Sequence, residues 1–240
     1  MSASDGRDTL PRWLLDEVAT AGRENLDAEH VARYDLKEDS AAADEVALCR
    51  PLGLTQESTI IEIGPGTGQF SLAAAPECGR LIAVDVSPVM LGVLRTKIAE
   101  AGFDNIDVVQ AGFLTYDHQG GPADLVYSRY AFHHLPDFWK AVALARIHRI
   151  LRPGGVFRLW DIVYNFEPTD AAECIEAWCA TLPEVVEDGW NRRDLEEHVR
   201  DEHSTFSWLL EPMMRRAGFV IEVADYSADG IFAKYVLRRT

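Results

Sequence analysis

Hydrophobic and polar positions follow a regular alternation from Ser58 onward. Short apolar runs alternate with longer stretches in which apolar residues recur at helical spacing. The apolar runs are TIIEI, RLIAVD, IDVVQ, ADLVYS and GVFRLWDIV. The helical stretches between them are FSLAAAPEC, SPVMLGVLRTKIAEAGF and LPDFWKAVALARIHRIL. Strands that alternate with helices predict an α/β fold, with a mostly parallel sheet covered by helices on both faces.

Local signals mark the ends of several elements. Ser87 followed by Pro88 is typical of a helix start, with a capping side chain and then proline at the first helical position. The RPGG segment, 152–155, predicts a turn before the fifth strand. Near the C-terminus, Ala228-Asp229-Gly230 separates the apolar runs FVIEVADYS and GIFAKYVLRR. Asp-Gly between two strands predicts a hairpin, so we expect the sheet to end in an antiparallel pair.

The pattern divides the chain into four segments. The stretch LPRWLLDEVA predicts a helix with Leu10, Trp13, Leu14 and Val18 on one face, and DSAAADEVALC predicts a second helix. We therefore expect an N-terminal helical cap at 1–50 and a Rossmann-like core at 51–163. The next stretch, 164–217, shows only helical patterns and predicts a helical lid insertion. The final segment, 218–240, supplies the two terminal strands.

Composition and charge exclude several classes of protein. The 240 residues are 48% hydrophobic and 26% charged, as in an ordinary globular protein, and no apolar run approaches the roughly 20 residues that span a bilayer. The net charge of −16 would repel a phosphate backbone, so we expect no nucleic-acid partner. The cysteines, Cys49, Cys78, Cys174 and Cys179, form no CxxC pair. We therefore expect reduced thiols, a cytoplasmic location and no metal site.

The end of the first predicted strand carries three closely spaced glycines. Gly64, Gly66 and Gly68 follow Glu62, and a loop without side chains lets a ligand approach the backbone. The spacing is GxGxG rather than the GxGxxG that a dinucleotide site favours. Asp85 ends the next strand, where its carboxylate can accept hydrogen bonds from a ribose diol. Its alternative role is to cap the following helix, but Ser87 already has the capping position.

Four segments together resemble the class I S-adenosylmethionine-dependent methyltransferases, particularly the ubiquinone and menaquinone biosynthesis group. They are IIEIGPGTGQFSLAAA, LIAVDVSPVML, ADLVYSRYAFHHLPD and RILRPGG, in that family's order and spacing. The resemblance implies a seven-stranded sheet with a C-terminal antiparallel hairpin. It also implies methyl transfer from S-adenosylmethionine, with S-adenosylhomocysteine as the product.

The resemblance also implies a set of cofactor-binding residues. They are Tyr34, Glu62, Gly64, Pro65, Gly66, Thr67, Gly68, Asp85, Val86, Met90, Gly112, Phe113, Ser128 and Arg129. Where the family usually has a Gly-Asp pair whose carboxylate binds the adenine amino group, this chain has Ala111 and Gly112. The missing hydrogen bond predicts weaker binding by about 0.5–1.5 kcal/mol. We accordingly expect Gly112→Asp to tighten cofactor binding severalfold.

Candidate catalytic groups lie at the predicted ends of the fourth and fifth strands. An unperturbed histidine titrates near neutrality, so His133 and His134 are candidates for a general base. Asp161 has the position of a substrate contact. Each could equally pack beneath a loop or cap a helix. We expect a small-molecule acceptor, whose acceptor atom is open.

The acidic charge is concentrated in the segment 161–203. It has thirteen Asp or Glu residues against three Arg. If these acids face the pocket they would favour a cationic acceptor, whereas a solvated helix face would leave acceptor choice unaffected. Two other functions stay open: a non-catalytic cofactor-binding module with a protein partner, and an oxidoreductase that binds a nicotinamide dinucleotide.

Overall fold

The computed structural model describes residues 11–22, 31, 41–184 and 189–240. The strands are β1 (Thr59–Ile63), β2 (Arg80–Asp85), β3 (Ile106–Gln110), β4 (Ala123–Arg129), β5 (Leu151–Tyr164), β6 (Thr205–Phe206), β7 (Phe219–Tyr226) and β8 (Phe232–Arg239). The α-helices of these parts are α1 (Ala42–Cys49), α2 (Gln69–Ala74), α3 (Pro88–Ala101), α4 (Asp137–Ile150), α5 (Ala171–Cys179), α6 (Arg192–Asp201) and α7 (Ser207–Arg216). Short 3₁₀ turns occupy Ala75–Glu77, Phe132–His134 and Pro168–Asp170.

The strands form one sheet in the order β3-β2-β1-β4-β5-β8-β7, and β6 adds a short pairing to the end of β5. Neighbours among β1 to β5 are parallel, whereas β8 is antiparallel to both β5 and β7. The predicted fold class is confirmed, including the C-terminal hairpin. Because β1 to β4 run in parallel, their carboxyl ends meet at one edge of the sheet.

Both faces of the sheet are covered by apolar packing. Along β1, Ile60 packs into one hydrophobic cluster and Ile61 and Ile63 into the other, as the two-residue period of a strand requires. The cluster that contains Ile60 is closed by α1, α2 and α3, and the opposite cluster by α4 and α7. A strand buried on both faces explains why TIIEI is almost continuously apolar.

The predicted start of α3 is confirmed. Ser87 Oγ accepts a hydrogen bond from the Met90 amide at 3.1 Å, and Pro88 occupies the first helical position. The RPGG segment behaves differently from the prediction, because it lies within the bounds of β5. Pairing with β4 jumps from Ala123–Leu151 to Leu125–Val156, so the extra residues form a bulge instead of a turn that precedes the strand.

The segment 164–217 is not wholly helical. It contains β6, which pairs with the end of β5. Its last helix, α7, packs on the sheet through Leu210 and Met214, whose side chains are fully buried with Ile147 and Phe219 in the main core. Within the described residues, α7 is one of the helices that cover the sheet, whereas α5 and α6 pack in a separate cluster with Tyr164 of β5 and Phe232 of β8.

The first predicted helix is wrong for the part of it that the structure describes. Residues 11–22 form turns and bends, and Trp13 is 73% exposed. The Asp16 carboxylate accepts hydrogen bonds from the amides of Val18 and Ala19, which is a local alternative to helical hydrogen bonding. Leu10 lies outside the described residues. The second predicted helix is present as α1.

Among the helices of the described segments, none combines the length and the apolar character needed to cross a membrane.

Candidate functional site

A cavity that is partly open to solvent lies at the carboxyl ends of β1, β2, β3 and β4. This edge is where open parallel sheets bind their ligands. Eight of the predicted site residues line it: Gly64, Gly66, Asp85, Val86, Gly112, Phe113, Arg129 and His134. Glu17, Ala21 and Tyr130 also line it. The sequence therefore predicted eight of the seventeen residues that line the cavity, and it did not predict Glu17, Thr20 and Ala21 of the N-terminal segment.

The glycine loop that follows β1 depends on its missing side chains. Gly64, Gly66 and Gly68 all have positive φ values, of 78°, 54° and 91°. A Cβ atom at Gly64 would overlap the Ala131 side chain, and one at Gly68 would overlap Leu94. The loop thus presents backbone without side chains to the cavity, and it packs tightly against Ala131 and Leu94.

Asp85 lies where β2 ends beside this loop, and it is 9% exposed. Its Oδ2 accepts from the Gly66 amide at 3.1 Å and its Oδ1 from the Ser87 amide at 2.8 Å. Burial raises the pKa of Asp85 to about 6, although these hydrogen bonds oppose the rise. A carboxylate has about four acceptor positions, so two are left for a diol in the cavity.

Glu17 provides a carboxylate next to Gly112. Its two oxygens accept hydrogen bonds from the Leu114 amide at 3.1 Å, and Oε2 also accepts from the Thr115 hydroxyl at 3.1 Å. A Cβ atom built on Gly112 would collide with this carboxyl group. The acidic group missing from position 112 of the sequence is therefore replaced in space by Glu17. Burial raises the pKa of Glu17, partly offset by its hydrogen bonds with the 113–115 turn.

The position of Glu17 reverses one expectation. Gly112→Asp was expected to tighten cofactor binding, but any side chain at Gly112 must displace the Glu17 carboxyl group. We now expect Gly112→Ala to weaken binding of S-adenosylhomocysteine by about tenfold, because one hydrogen bond from a charged group contributes about 1.5–3 kcal/mol. Calorimetric titration of the variant checks this. Gly92→Ala, at an open helical position, serves as the control and should bind as the parent protein does. Tighter binding by Gly112→Ala would contradict the role of Glu17.

Several predicted residues lie away from the cavity wall formed by the described residues. They are Glu62, Pro65, Thr67, Gly68, Met90, Ser128, His133 and Asp161. Tyr34 lies outside the described residues. Glu62 accepts a hydrogen bond from the Ser71 hydroxyl of α2, and burial raises its pKa to about 8. Ser128 Oγ is buried and has no hydrogen-bond partner in the part of the chain that the structure describes. A catalytic role for His133 and Asp161, and a cofactor contact for the other residues, stay predictions.

His133 and Asp161 form a buried pair beneath the cavity. His133 Nδ1 lies 2.5 Å from Asp161 Oδ1, and both side chains are almost inaccessible to solvent. Burial alone would lower the pKa of His133, but the carboxylates of Asp161 and Glu202 raise it to about 10. Burial would raise the pKa of Asp161, but its interactions with His133 lower it. Because both ring nitrogens of His133 face carboxylates, this ring is held in place and does not line the cavity.

Glu202 and His198 extend this pair into a larger cluster that the sequence did not predict. Glu202 Oε2 lies 3.0 Å from His133 Nε2 and 2.5 Å from His198 Nδ1. Burial would raise the pKa of Glu202, but the two histidines lower it. The four-residue spacing of His198 and Glu202 on a helix was a signal in the sequence, but nothing there connected it to His133.

Five of the acidic residues of the segment 161–203 form ion pairs with arginines. Arg192 pairs with Glu176 and Glu196, and Arg193 pairs with Glu197. None of the acidic residues of 161–203 that the structure describes lines the cavity. The arrangement thus corresponds to a solvated face rather than an acidic pocket mouth.

Comparison with known proteins finds methyltransferases. Residues 60–155 match the family described as a methyltransferase domain. An uncharacterized methyltransferase of Geobacillus kaustophilus is 27% identical over 169 residues, which cover 70% of this chain and 72% of the relative. These matches support a class I S-adenosylmethionine-dependent methyltransferase. Its cofactor is therefore S-adenosylmethionine, and the alternatives of a nicotinamide-dependent oxidoreductase and a non-catalytic module are not favoured.

Solved structures show the same fold for this methyltransferase. A methyltransferase from Aquifex aeolicus has a TM-score of 0.63 at 14% identity and covers 90% of this chain and 100% of its own. The N-methyltransferase NodS of Bradyrhizobium japonicum, solved with S-adenosylhomocysteine, has a TM-score of 0.61 at 17% identity, with coverages of 94% and 99%. The residues present fit the cofactor, because bare backbone and two carboxyl groups, Asp85 and Glu17, border the same cavity.

Proposed function

We propose that this enzyme methylates a small-molecule acceptor and binds its cofactor in the cavity at the ends of β1 to β4. The observation that carries the proposal is the pair of carboxyl groups, Asp85 and Glu17, on the wall that the glycine loop completes. Asp85 would accept hydrogen bonds from the ribose, and Glu17 from the adenine amino group beside the Phe113 backbone. When bound, S-adenosylmethionine supplies an activated methyl group on a sulfonium. The chain's own task is to position the acceptor and exclude water.

Support for the acceptor side comes from Tyr130, which follows β4 and lines the cavity. It has a φ of 50°, which is unfavourable for a tyrosine, and its ring packs against Trp160 and Phe232 at centroid distances of 5.5 and 6.0 Å. Backbone strain of this kind is common where a side chain must be aimed at a ligand. We propose that Tyr130 and His134 contact the acceptor. His133 and Asp161 then act indirectly, by holding the turn that carries His134.

A small-molecule acceptor is also consistent with the charge of the chain. A net charge of −16 disfavours nucleic acid. The acidic residues of 161–184 and 189–203 supply no support for a cationic acceptor, because none of them lines the cavity. We therefore propose a small molecule without a preference for positive charge.

An acceptor screen tests this proposal. The full chain is incubated with S-adenosylmethionine and matched amines, phenols and carboxylates at low and high salt, and S-adenosylhomocysteine is quantified. Turnover of at least one class, lost in Tyr130→Ala and retained in a surface control such as Asp107→Asn, would support it. Turnover that appears only with polypeptide or nucleic-acid acceptors would contradict the proposal.

The pKa of Asp85 leads to a pH prediction. Ribose hydroxyls donate to the ionised carboxylate, so binding favours the deprotonated form of a group whose pKa burial raises to about 6. Affinity for S-adenosylhomocysteine should be constant at alkaline pH and should fall as the pH drops through about 6. Below that pH, the loss should approach about tenfold per pH unit. Calorimetry between pH 5 and pH 8 measures the effect, and an affinity that does not change over this range would contradict it.

A further inference from the structure

Two histidines and a glutamate from distant parts of the chain meet where α6 approaches the 132–134 turn. Glu202 Oε2 lies 3.0 Å from His133 Nε2 and 2.5 Å from His198 Nδ1. These three atoms all lie within 4.8 Å of one another. The side chains of His133, His198 and Glu202 are 6%, 10% and 17% exposed, so the cluster is shielded from solvent.

The geometry around Glu202 Oε2 is poor for ordinary hydrogen bonds. Glu202 Oε2 is buried, yet no donor among the described residues meets it in hydrogen-bonding geometry, despite the two short distances. A third ring nitrogen, His134 Nδ1, lies 4.0 Å from the same oxygen and is also buried without a partner in the described part of the chain. Buried polar atoms of this kind are uncommon in folded proteins, and a bound ion is one of their recognised explanations.

The far nitrogen of each histidine is fixed by a second group. Asp161 lies 2.5 Å from His133 Nδ1 and also accepts hydrogen bonds from the Phe132, His133 and Ile162 amides. Because an ionised carboxylate only accepts, His133 Nδ1 carries a proton. At Nε2 a metal ion would replace the second proton of the metal-free ring and bind the lone pair that is directed towards Glu202. His198 Nε2 lies 2.8 Å from Ser204 Oγ. Histidines that bind metals show this arrangement, with one nitrogen on the metal and the other held by a carboxylate or another polar group.

We propose that His133 Nε2, His198 Nδ1 and Glu202 Oε2 form a binding site for a divalent transition metal of the Zn²⁺ class. Two imidazoles and one carboxylate are a ligand set that suits zinc and leave a fourth position open. Ligand atoms of a tetrahedral zinc lie about 3.3 Å apart for bonds of about 2.0 Å, so shifts of less than about 1 Å would bring Glu202 and the two rings to that geometry. A charge of +2 with neutral rings also balances the buried carboxylates of Asp161 and Glu202.

The metal would tie the lid to the core. Hydrogen bonds already join the two regions. The His203 amide donates to the His133 carbonyl at 3.0 Å. The buried Lys140 ammonium donates to the carbonyls of Leu135 and His203. A metal held by α6, by the residue after it and by the 132–134 turn would fix the turn that carries His134 to the cavity wall. The sequence predicted no metal site, because the ligands come from two segments about 65 residues apart and include no cysteine.

Metal titration tests the site directly. The full chain is treated with EDTA, dialysed and titrated with ZnCl₂ by calorimetry, and we expect one site per chain. Glu202→Gln, which keeps the side-chain volume, and His198→Gln should each weaken zinc affinity by tenfold or more. His118→Gln removes a histidine outside the cluster and should leave the affinity unchanged. Circular dichroism verifies that each variant is folded.

Substitution with Co²⁺ gives a second readout that needs no variant. Tetrahedral nitrogen and oxygen ligands should produce visible ligand-field bands at one Co²⁺ per chain. The proposal is overturned if the unaltered chain lacks a stoichiometric site, or if folded Glu202→Gln and His198→Gln bind zinc as the parent does. A thiolate charge-transfer band would place the metal on cysteines and would overturn it as well. None of these readouts depends on cofactor binding or methyl transfer.

Discussion

Asp85→Ala is expected to raise the dissociation constant for S-adenosylhomocysteine by about a hundredfold or more. The Asp85 carboxylate has two acceptor positions left after it binds the Gly66 and Ser87 amides, and the proposed ribose contact uses both. A hydrogen bond to a charged group contributes about 1.5–3 kcal/mol, so two of them correspond to at least two orders of magnitude in affinity. Calorimetric titration of the full chain measures the change.

A matched control separates this effect from general damage. Asp107→Ala removes a carboxylate from the neighbouring strand β3, where it forms a solvent-exposed pair with Arg80. Its affinity for S-adenosylhomocysteine should equal that of the parent. Asp85→Asn retains one acceptor and should fall between the parent and Asp85→Ala. Equal affinities of folded Asp85→Ala and the parent would mean that the ribose is not bound at the end of β2.

Glu45→Gln should produce the largest loss of stability among the charged positions described above. Glu45 on α1 forms a two-point contact with Arg158 on β5, at 2.9 and 2.8 Å, and the side chains are 2% and 4% exposed. Removal of the negative charge leaves the Arg158 guanidinium buried without a counter-charge, which costs about 3–5 kcal/mol. For a chain of this size, that corresponds to a fall in melting temperature of roughly 6–20 °C.

Thermal denaturation of Glu45→Gln beside Glu77→Gln checks this prediction. Glu77 pairs with Arg50 at the surface, where both side chains are solvent-accessible, so its replacement should change the melting temperature little. A fall of equal size in both variants would show that burial of the Glu45–Arg158 pair has no special weight. The size of the fall for Glu45→Gln would also show how much the Glu45–Arg158 contact contributes to holding α1 against the sheet.

The central part of the fold could be predicted from the sequence because its signals are local. The strands β1, β2 and β3 begin and end where their apolar runs do, and Ser87-Pro88 marks the start of α3 as expected. The Gly loop and Asp85 lie at strand ends, so the parallel arrangement of β1 and β2 alone was sufficient to bring them together.

Residues that meet across long sequence separations could not be predicted in the same way. Glu17 contacts Leu114, which is 97 positions away in the sequence. The local pattern placed Glu17 on a predicted helix, but the structure has turns and bends there. The absence of an acidic residue at Gly112 was the one available hint that another element supplies the carboxylate. The approach of His198 and Glu202 to His133 is equally non-local. Helical periodicity also could not show that α7 packs into the main core while α5 and α6 pack into a separate cluster.

The most direct test of the proposed cofactor site is a crystal structure of the full chain with S-adenosylhomocysteine. We expect one ligand in the cavity at the ends of β1 to β4, with its ribose hydroxyls hydrogen-bonded to Asp85 and its adenine amino group hydrogen-bonded to the Glu17 carboxylate. A ligand bound elsewhere would contradict it. So would an adenine in this cavity whose amino group is bound by another residue while Glu17 points away.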